Sequence, residues 1–223
     1  ILNGTATASV SCLYANNNYA VDLSSSGHVT INPSMFSGVN TELTLSFWAF
    51  GTASLMPTTT SIIYGYGSST SQRNLNIHLP WNNGSVYFDC GYASGNFDRI
   101  NKAATAAEQG GQWNHWAFTK NAVSGVMNIY LNGTLWHTGT GMTKVISLLN
   151  VILGKDNALA NNYKGKVNEL CFWDKALSQT DIQAWMNKPI DTTHPFYANL
   201  LACYRMDEGG GLTVADSKFV LNS

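Results

Sequence analysis

The sequence predicts an all-β protein: a two-sheet antiparallel sandwich with one short helix near residues 178–187. Three observations carry that prediction. Apolar and polar residues alternate along most of the chain, the sign of half-buried strands. Turn signals interrupt the alternation at short intervals, and only one segment shows helical spacing. Charged residues make up only 11% of the 223, while Ser, Thr, Asn and Gly are abundant and aromatic residues reach 12%. That is the profile of a secreted β protein whose surface is covered by uncharged polar groups.

Tyr19, Val21 and Leu23 alternate with Ala20, Asp22 and Ser24, and Leu43, Leu45 and Phe47 alternate with Thr44, Ser46 and Trp48. Leu75, Ile77 and Leu79 alternate with Asn76 and His78, and Asn83-Gly84 between NIHLPW and SVYFDCG predicts a hairpin with Pro80 near its turn. NKAATAAEQGG, residues 101 to 111, has the alanines for a helical turn without an apolar stripe, and reads as a long loop containing such a turn. In QWNHWAFTKN, Trp113 begins a strand that sends Trp116 and Phe118 to the core face and His115, Ala117 and Thr119 to the other. VMNIYLNGTLWHTG is a hairpin, because Asn132-Gly133 supplies the positive φ angles of a type I′ turn. In ALSQTDIQAWMNKP, Ser178 and Asp181 form a capping box, Ile182, Trp185 and Met186 fall at helical spacing, and Pro189 stops the helix.

With no linker-like composition shift, internal repeat or charge block, a single domain over residues 1–223 is expected. The 12 basic and 13 acidic residues give a net charge of -1, so no field gathers nucleic acid or anionic lipid. No apolar run approaches the roughly 20 residues of a membrane-spanning helix, and ILNGTATASV has neither a basic nor a long apolar region, so any signal peptide is expected to have been removed or to lie outside this sequence. The cysteines, Cys12, Cys90, Cys171 and Cys203, contain no C-x-x-C pair, which excludes a zinc knuckle. Cys171 and Cys203 lie in strands. Buried free thiols are the default there, and a cross-strand disulfide in an oxidising compartment is the alternative.

QWNHWAFTKN followed by GVMNIYLNGTLWHTG resembles the paired central strands of the laminin-G-like jelly roll, in the concanavalin A-like lectin and glucanase superfamily. GVNTELTLSFWAF resembles its early core strand, and YKGKVNELCFWDKALSQTDI its glycine, strand and short-helix module. LLACYRMDEGGGLTVADS resembles the strand and acidic turn that often open such domains, but stands at the C-terminal end here. The asparagine-rich style resembles copies in large bacterial surface proteins. The resemblance implies a two-sheet jelly roll, one part of a larger secreted or cell-surface protein, and a calcium site of loop oxygens. Asp216, Ser217 and Glu208 are the candidates for that metal.

Several enzymes share this fold, so the residues must speak for chemistry. Retaining glycosidases need two carboxylates about 5 to 5.5 Å apart. The pattern E-x-D-x-x-E is absent, Asp22, Asp89 and Glu169 stand isolated on strands, and adjacent Asp207-Glu208 point to opposite faces. There is no G-x-S-x-G elbow and no H-E-x-x-H among His28, His78, His115, His137 and His194. Polysaccharide lyases of similar fold combine Arg, Gln, His and Tyr on neighbouring strands; here His78 and Tyr87 share a hairpin with no arginine-bearing strand expected beside them.

The residues alternating with the core set are Trp48, Asn76, His78, Tyr87, Asp89, Asn128 and Tyr130, with Trp81 at the rim. Rings beside amides and a carboxylate are what a sugar site uses. Alternatively, loops roof the face and Trp48 and Tyr130 form a second small core. The expectation is a non-catalytic module that recognises a glycan or glycoprotein surface, next to other domains of its parent protein, with no nucleic acid and no membrane insertion. A glycan-cleaving enzyme and a ligand-free spacer are the alternatives.

Overall fold

The alternating runs become strands in the computed structural model, which describes residues 1–3, 7–14, 17–211 and 213–220. In chain order these are β1 Leu2–Asn3, β2 Thr7–Tyr14, β3 Asn17–Asp22, β4 His28–Ile31, β5 Glu42–Gly51, β6 Ile63–Tyr66, β7 Arg73–His78, β8 Ser85–Ala93, β9 Asn96–Ala103, β10 Asn114–Asn121, β11 Val126–Leu131, β12 Thr134–Gly139, β13 Asn150–Leu153, β14 Gly165–Trp173 and β15 Leu200–Tyr204. They build two antiparallel sheets: β1-β4-β13-β6-β7-β8-β9, and β12-β11-β10-β5-β14-β3-β2. β15 pairs with the second half of β14, and β3 with its first half, so the C-terminal strand completes the same sheet.

The core lies between the sheets. Phe47, Trp116, Phe118 and Phe172 from one sheet meet Ile77, Phe88 and Leu153 from the other, all fully or almost fully buried. Phe118 stacks on Phe47 and meets the edge of Phe88 with ring centroids 5.3 Å apart. Asn132, at φ 49°, and Gly133, at φ 77°, turn β11 into β12 as the Asn-Gly signal requires. Helix α1 is Ala106–Gln109 and α2 is Gln179–Trp185; α2 carries the expected reciprocal cap, with Asp181 N–H donating to Ser178 Oγ and Ser178 N–H to Asp181 Oδ2. A third short helix, α3, spans Ser217–Val220.

Two expectations change. Residues 101–103 belong to β9, because the ladder with β8 runs on through Tyr87 opposite Asn101 and Ser85 opposite Ala103; only 106–109 is helical. Cys171 and Cys203 are joined by a disulfide, since the register of β14 and β15 sets them directly opposite each other. Cys90 is a buried free thiol, and the Cys12 side chain lies outside what the structure describes.

The strand of the QWNHWAFTKN stretch also carries a lysine to the interior. Lys120 shares parity with Trp116 and Phe118, and its ammonium is fully buried, donating to Asp98 Oδ2 on β9 at 2.7 Å and to the Met142 carbonyl at 3.0 Å. Asp98 also accepts from Lys144 Nζ and from Lys144 N–H, both at 2.8 Å. This cluster ties one sheet to the other. Gly91 makes room for it: the residue sits at φ 80° on a bulge of β8, and a Cβ there would stand 2.2 Å from the Lys144 carbonyl oxygen.

Candidate functional site

Hairpin β7–β8 sets Asn76 opposite Asp89 and His78 opposite Tyr87. Residues two apart share a strand face, so these four stand on the outer side of the seven-stranded sheet, while Leu75, Ile77, Val86 and Phe88 fill the core. β9 adds Arg99 opposite Asp89, and Arg73 enters at the start of β7.

Asp89 is the buried anchor, with 0% exposure. Arg73 Nη1 donates to its Oδ2 at 3.0 Å, while Arg99 donates from Nε to Oδ1 at 2.5 Å and from Nη2 to Oδ2 at 2.8 Å. These bonds push the Arg99 pKa up. Rings hold the guanidiniums as well: Arg99 lies 5.0 Å from the Tyr87 centroid and 4.9 Å from that of Phe97, and Arg73 lies 5.0 Å from Phe97 and 5.9 Å from Tyr64.

His78 is locked from behind. Its Nδ1 lies 2.6 Å from the Thr60 carbonyl oxygen, which can only accept, so Nδ1 carries the proton. Nε2 then accepts from Asn76 Nδ2 at 2.9 Å, and Asn76 Oδ1 in turn accepts from Ser61 Oγ at 2.6 Å. Burial lowers the His78 pKa, keeping the ring neutral at pH 7. With both nitrogens committed, His78 presents a ring rather than a proton, edge-on to Trp81 at 4.3 Å and to Tyr87 at 5.9 Å between centroids. Trp81 is fixed by the turn, its N–H donating to the Ser85 carbonyl. Tyr87 Oη accepts from Asn83 Nδ2 at 2.8 Å. Arg73, His78, Trp81, Tyr87 and Arg99 line a groove of about 280 Å³, in which Trp81 and Tyr87 are half-buried and Arg99 is exposed.

The predicted binding residues therefore divide between two surfaces. Asn76, His78, Trp81, Tyr87 and Asp89 gather at this groove, although Asn76 and Asp89 lie beneath it and act through His78 and the arginines. Trp48, Asn128 and Tyr130 stand on the outer face of the other sheet, which is partly roofed by α2. Trp48 Nε1 donates to the Met186 carbonyl at 3.0 Å. Tyr130 is 5% exposed and packs in a second small core with Ala117, Trp173, Leu177 and Ile182. Asn128 donates to Tyr130 Oη and accepts from Thr138 Oγ1. The second-core reading applies to that face, and these three do not join the groove.

Sequence reasoning missed Arg73 and Arg99. The expectation that no arginine-bearing strand flanks His78 and Tyr87 is overturned: Arg73 lies on the strand of His78, and Arg99 on the strand beside Tyr87. The signal for Arg99 is the parity of NFDRIN, which puts Phe97, Arg99 and Asn101 on one face and Asp98 and Ile100 on the other.

His115 faces a small pocket between α2 and the sheet, together with Trp48, Trp173, Trp185 and His194. Its volume of about 30 Å³ suits a water or two, not a sugar. Burial pushes the His115 pKa down to about 3. Among the described residues no partner reaches His115 Nδ1, Trp173 Nε1 or His194 Nε2.

The calcium candidates are turned to backbone. Asp216 Oδ1 accepts from the N–H groups of Cys203 and Lys218, Ser217 Oγ donates to the Cys203 carbonyl, and Glu208 Oε1 accepts from Ala215 N–H. Asp216 Oδ2 is buried without a partner among the described residues, and burial raises the Asp216 pKa. Calcium takes six to eight oxygen ligands. An ion held at Asp216, Ser217 and Glu208 would therefore need oxygens beyond these three side chains.

Residues 23–183 match the laminin-G-type family described as the concanavalin A-like lectin/glucanases superfamily. The chain belongs to this family. No curated protein sequence matches this concanavalin A-like chain. Among solved structures, it is similar to domain 4 of AbnA, an extracellular GH43 arabinanase from Geobacillus stearothermophilus solved with arabinotriose. The two are 20% identical with a TM-score of 0.61, covering 82% of this chain and 81% of that one. The ligand-binding domain of botulinum neurotoxin serotype D, solved with N-acetylneuraminic acid, is 17% identical with a TM-score of 0.60. The receptor-binding domain of the C/D mosaic neurotoxin is 19% identical with a TM-score of 0.61. This chain spans 45% of the length of each neurotoxin domain, and 82% of it is covered. These likenesses show the jelly-roll fold. No helix among the described residues is long and apolar enough to cross a membrane.

Proposed function

We propose that this concanavalin A-like protein is a secreted or cell-surface binding module that recognises a glycan, without chemistry, in the groove of β7, β8 and β9. The carrying observation is that Trp81 and Tyr87 present rings beside the Arg73 and Arg99 donors, with the positions of these groups set by a buried layer of Asp89, Asn76 and His78. Rings stack on the apolar face of a pyranose and N–H groups bond its hydroxyls. The arabinotriose and N-acetylneuraminic acid complexes of similar folds support a sugar as the ligand class. Against catalysis stand the committed nitrogens of His78 and the single carboxylate, Asp89, buried under two guanidiniums where a glycosidase needs a pair.

A glycan array of the intact chain, with and without EDTA, tests this reading. Binding is expected in both conditions, and Trp81→Ala is expected to weaken it by about fivefold or more, because the ring's apolar face and its buried area are lost to the ligand. Failure to bind any glycan would leave the spacer role standing. Release of reducing ends or unsaturated sugars from a polysaccharide panel would replace the module with an enzyme.

A further inference from the structure

We propose that the groove selects acidic glycans, with a carboxylate or sulfate group of the ligand set against Arg73 and Arg99 while a sugar ring packs on Tyr87 or Trp81. The inference rests on the reading of the groove as a glycan site and adds its charge class. Charge is the first ground. Two guanidiniums share one buried carboxylate, so the cluster keeps a surplus of one positive charge, on a chain whose net charge is -1. Among the described residues, no acidic side chain lines the groove. A neutral sugar needs no such surplus, because a single arginine would balance Asp89.

Donor geometry is the second ground. Each guanidinium carries five N–H donors in a planar fork that matches carboxylate and sulfate oxygens. Asp89 takes one from Arg73 and two from Arg99, and the two side chains remain 30% and 36% exposed. Donors are thus left over at the groove edge. Preorganisation is the third: Asp89 grips both arginines from below and the Phe97 ring lies beside both, so little rotamer freedom remains to be lost on binding.

Titration calorimetry of the intact chain, with oligogalacturonate against its methyl ester and with dextran sulfate against dextran, separates the possibilities. At least one acidic ligand is expected to bind about tenfold or more tighter than its neutral counterpart, with the difference shrinking at high salt, where the screening length falls to a few ångströms. Arg99→Gln and Arg73→Gln should each reduce that preference, with thermal melting recorded alongside; Arg99→Lys, which keeps the charge but loses the fork, should fall between. Equal binding of acidic and neutral ligands overturns the charge selection and leaves the glycan site intact. No binding of any of the four overturns the acidic selection, while failure on the whole glycan array overturns the glycan site itself. The wild-type comparison stands even if a variant melts early.

Discussion

Replacing Asp98 by Asn should be among the most destabilising single changes in this protein. Lys120 is 0% exposed and Asp98 4%, so the variant removes the charge that offsets a fully buried ammonium and turns one accepting oxygen into a donor facing it. Breaking a buried pair from one side costs about 3–5 kcal/mol, which for a chain of this size is a fall of about 6–20 °C in Tm. Lys120→Met should cost less, about 1–3 kcal/mol, because Asp98 keeps Lys144 Nζ and Lys144 N–H and methionine fills much of the lysine volume. The pH dependence follows from the same geometry. Burial alone would raise the Asp98 pKa, but the bonds from Lys120 and Lys144 hold it below the ordinary value. A depressed carboxylate stabilises the fold above its unfolded pKa, near 4, and loses that contribution as pH falls through the folded value. Thermal melts of both variants, from pH 7 downward, read the effect: the gap between wild type and Asp98→Asn should narrow below about pH 4. A Tm within about 2 °C of wild type for Asp98→Asn, or a larger loss for Lys120→Met, would refute the reasoning.

Because burial pushes the His115 pKa down to about 3, the unfolded chain binds a proton between about pH 6.5 and 3 that the folded chain does not. His115→Phe should therefore make stability fall less steeply over that range, by up to about 1.4 kcal/mol per pH unit, and an unchanged slope in pH-dependent melts would contradict the burial argument. Loss of the Cys171–Cys203 link in the double Cys→Ala variant should cost about 3–4 kcal/mol for its sequence separation of 32; chemical denaturation gives the value, and a cost below about 1 kcal/mol would show that strand pairing alone holds β15.

How much the sequence disclosed depended on whether a feature was local. The Asn132-Gly133 turn and the Ser178 cap were legible because each is decided by a few neighbouring residues: a positive φ that Asn and Gly tolerate, and a hydroxyl three residues from a carboxylate. Parity within one strand was legible too, and placed Trp116 and Phe118 correctly in the core. What parity cannot supply is which strands are neighbours. Trp48 and His78 are both non-core positions of alternating strands, yet they lie on opposite outer faces of the sandwich, because β5 and β7 belong to different sheets. The same limit hid Arg99, whose value comes from standing opposite Asp89 across β8 and β9, and Lys120, which breaks the polar-outside rule only because Asp98 from the other sheet meets it. Charge pairing across strands carries the missing information. Asp89 and Asp98 are nearly completely buried carboxylates, and each burial requires cations nearby, so an interior-parity or sheet-centre acid in such a sequence points to arginines and lysines at unknown distance along the chain. In this fold one such acid holds the two sheets together, and the other orients the arginines on which the proposed ligand preference depends.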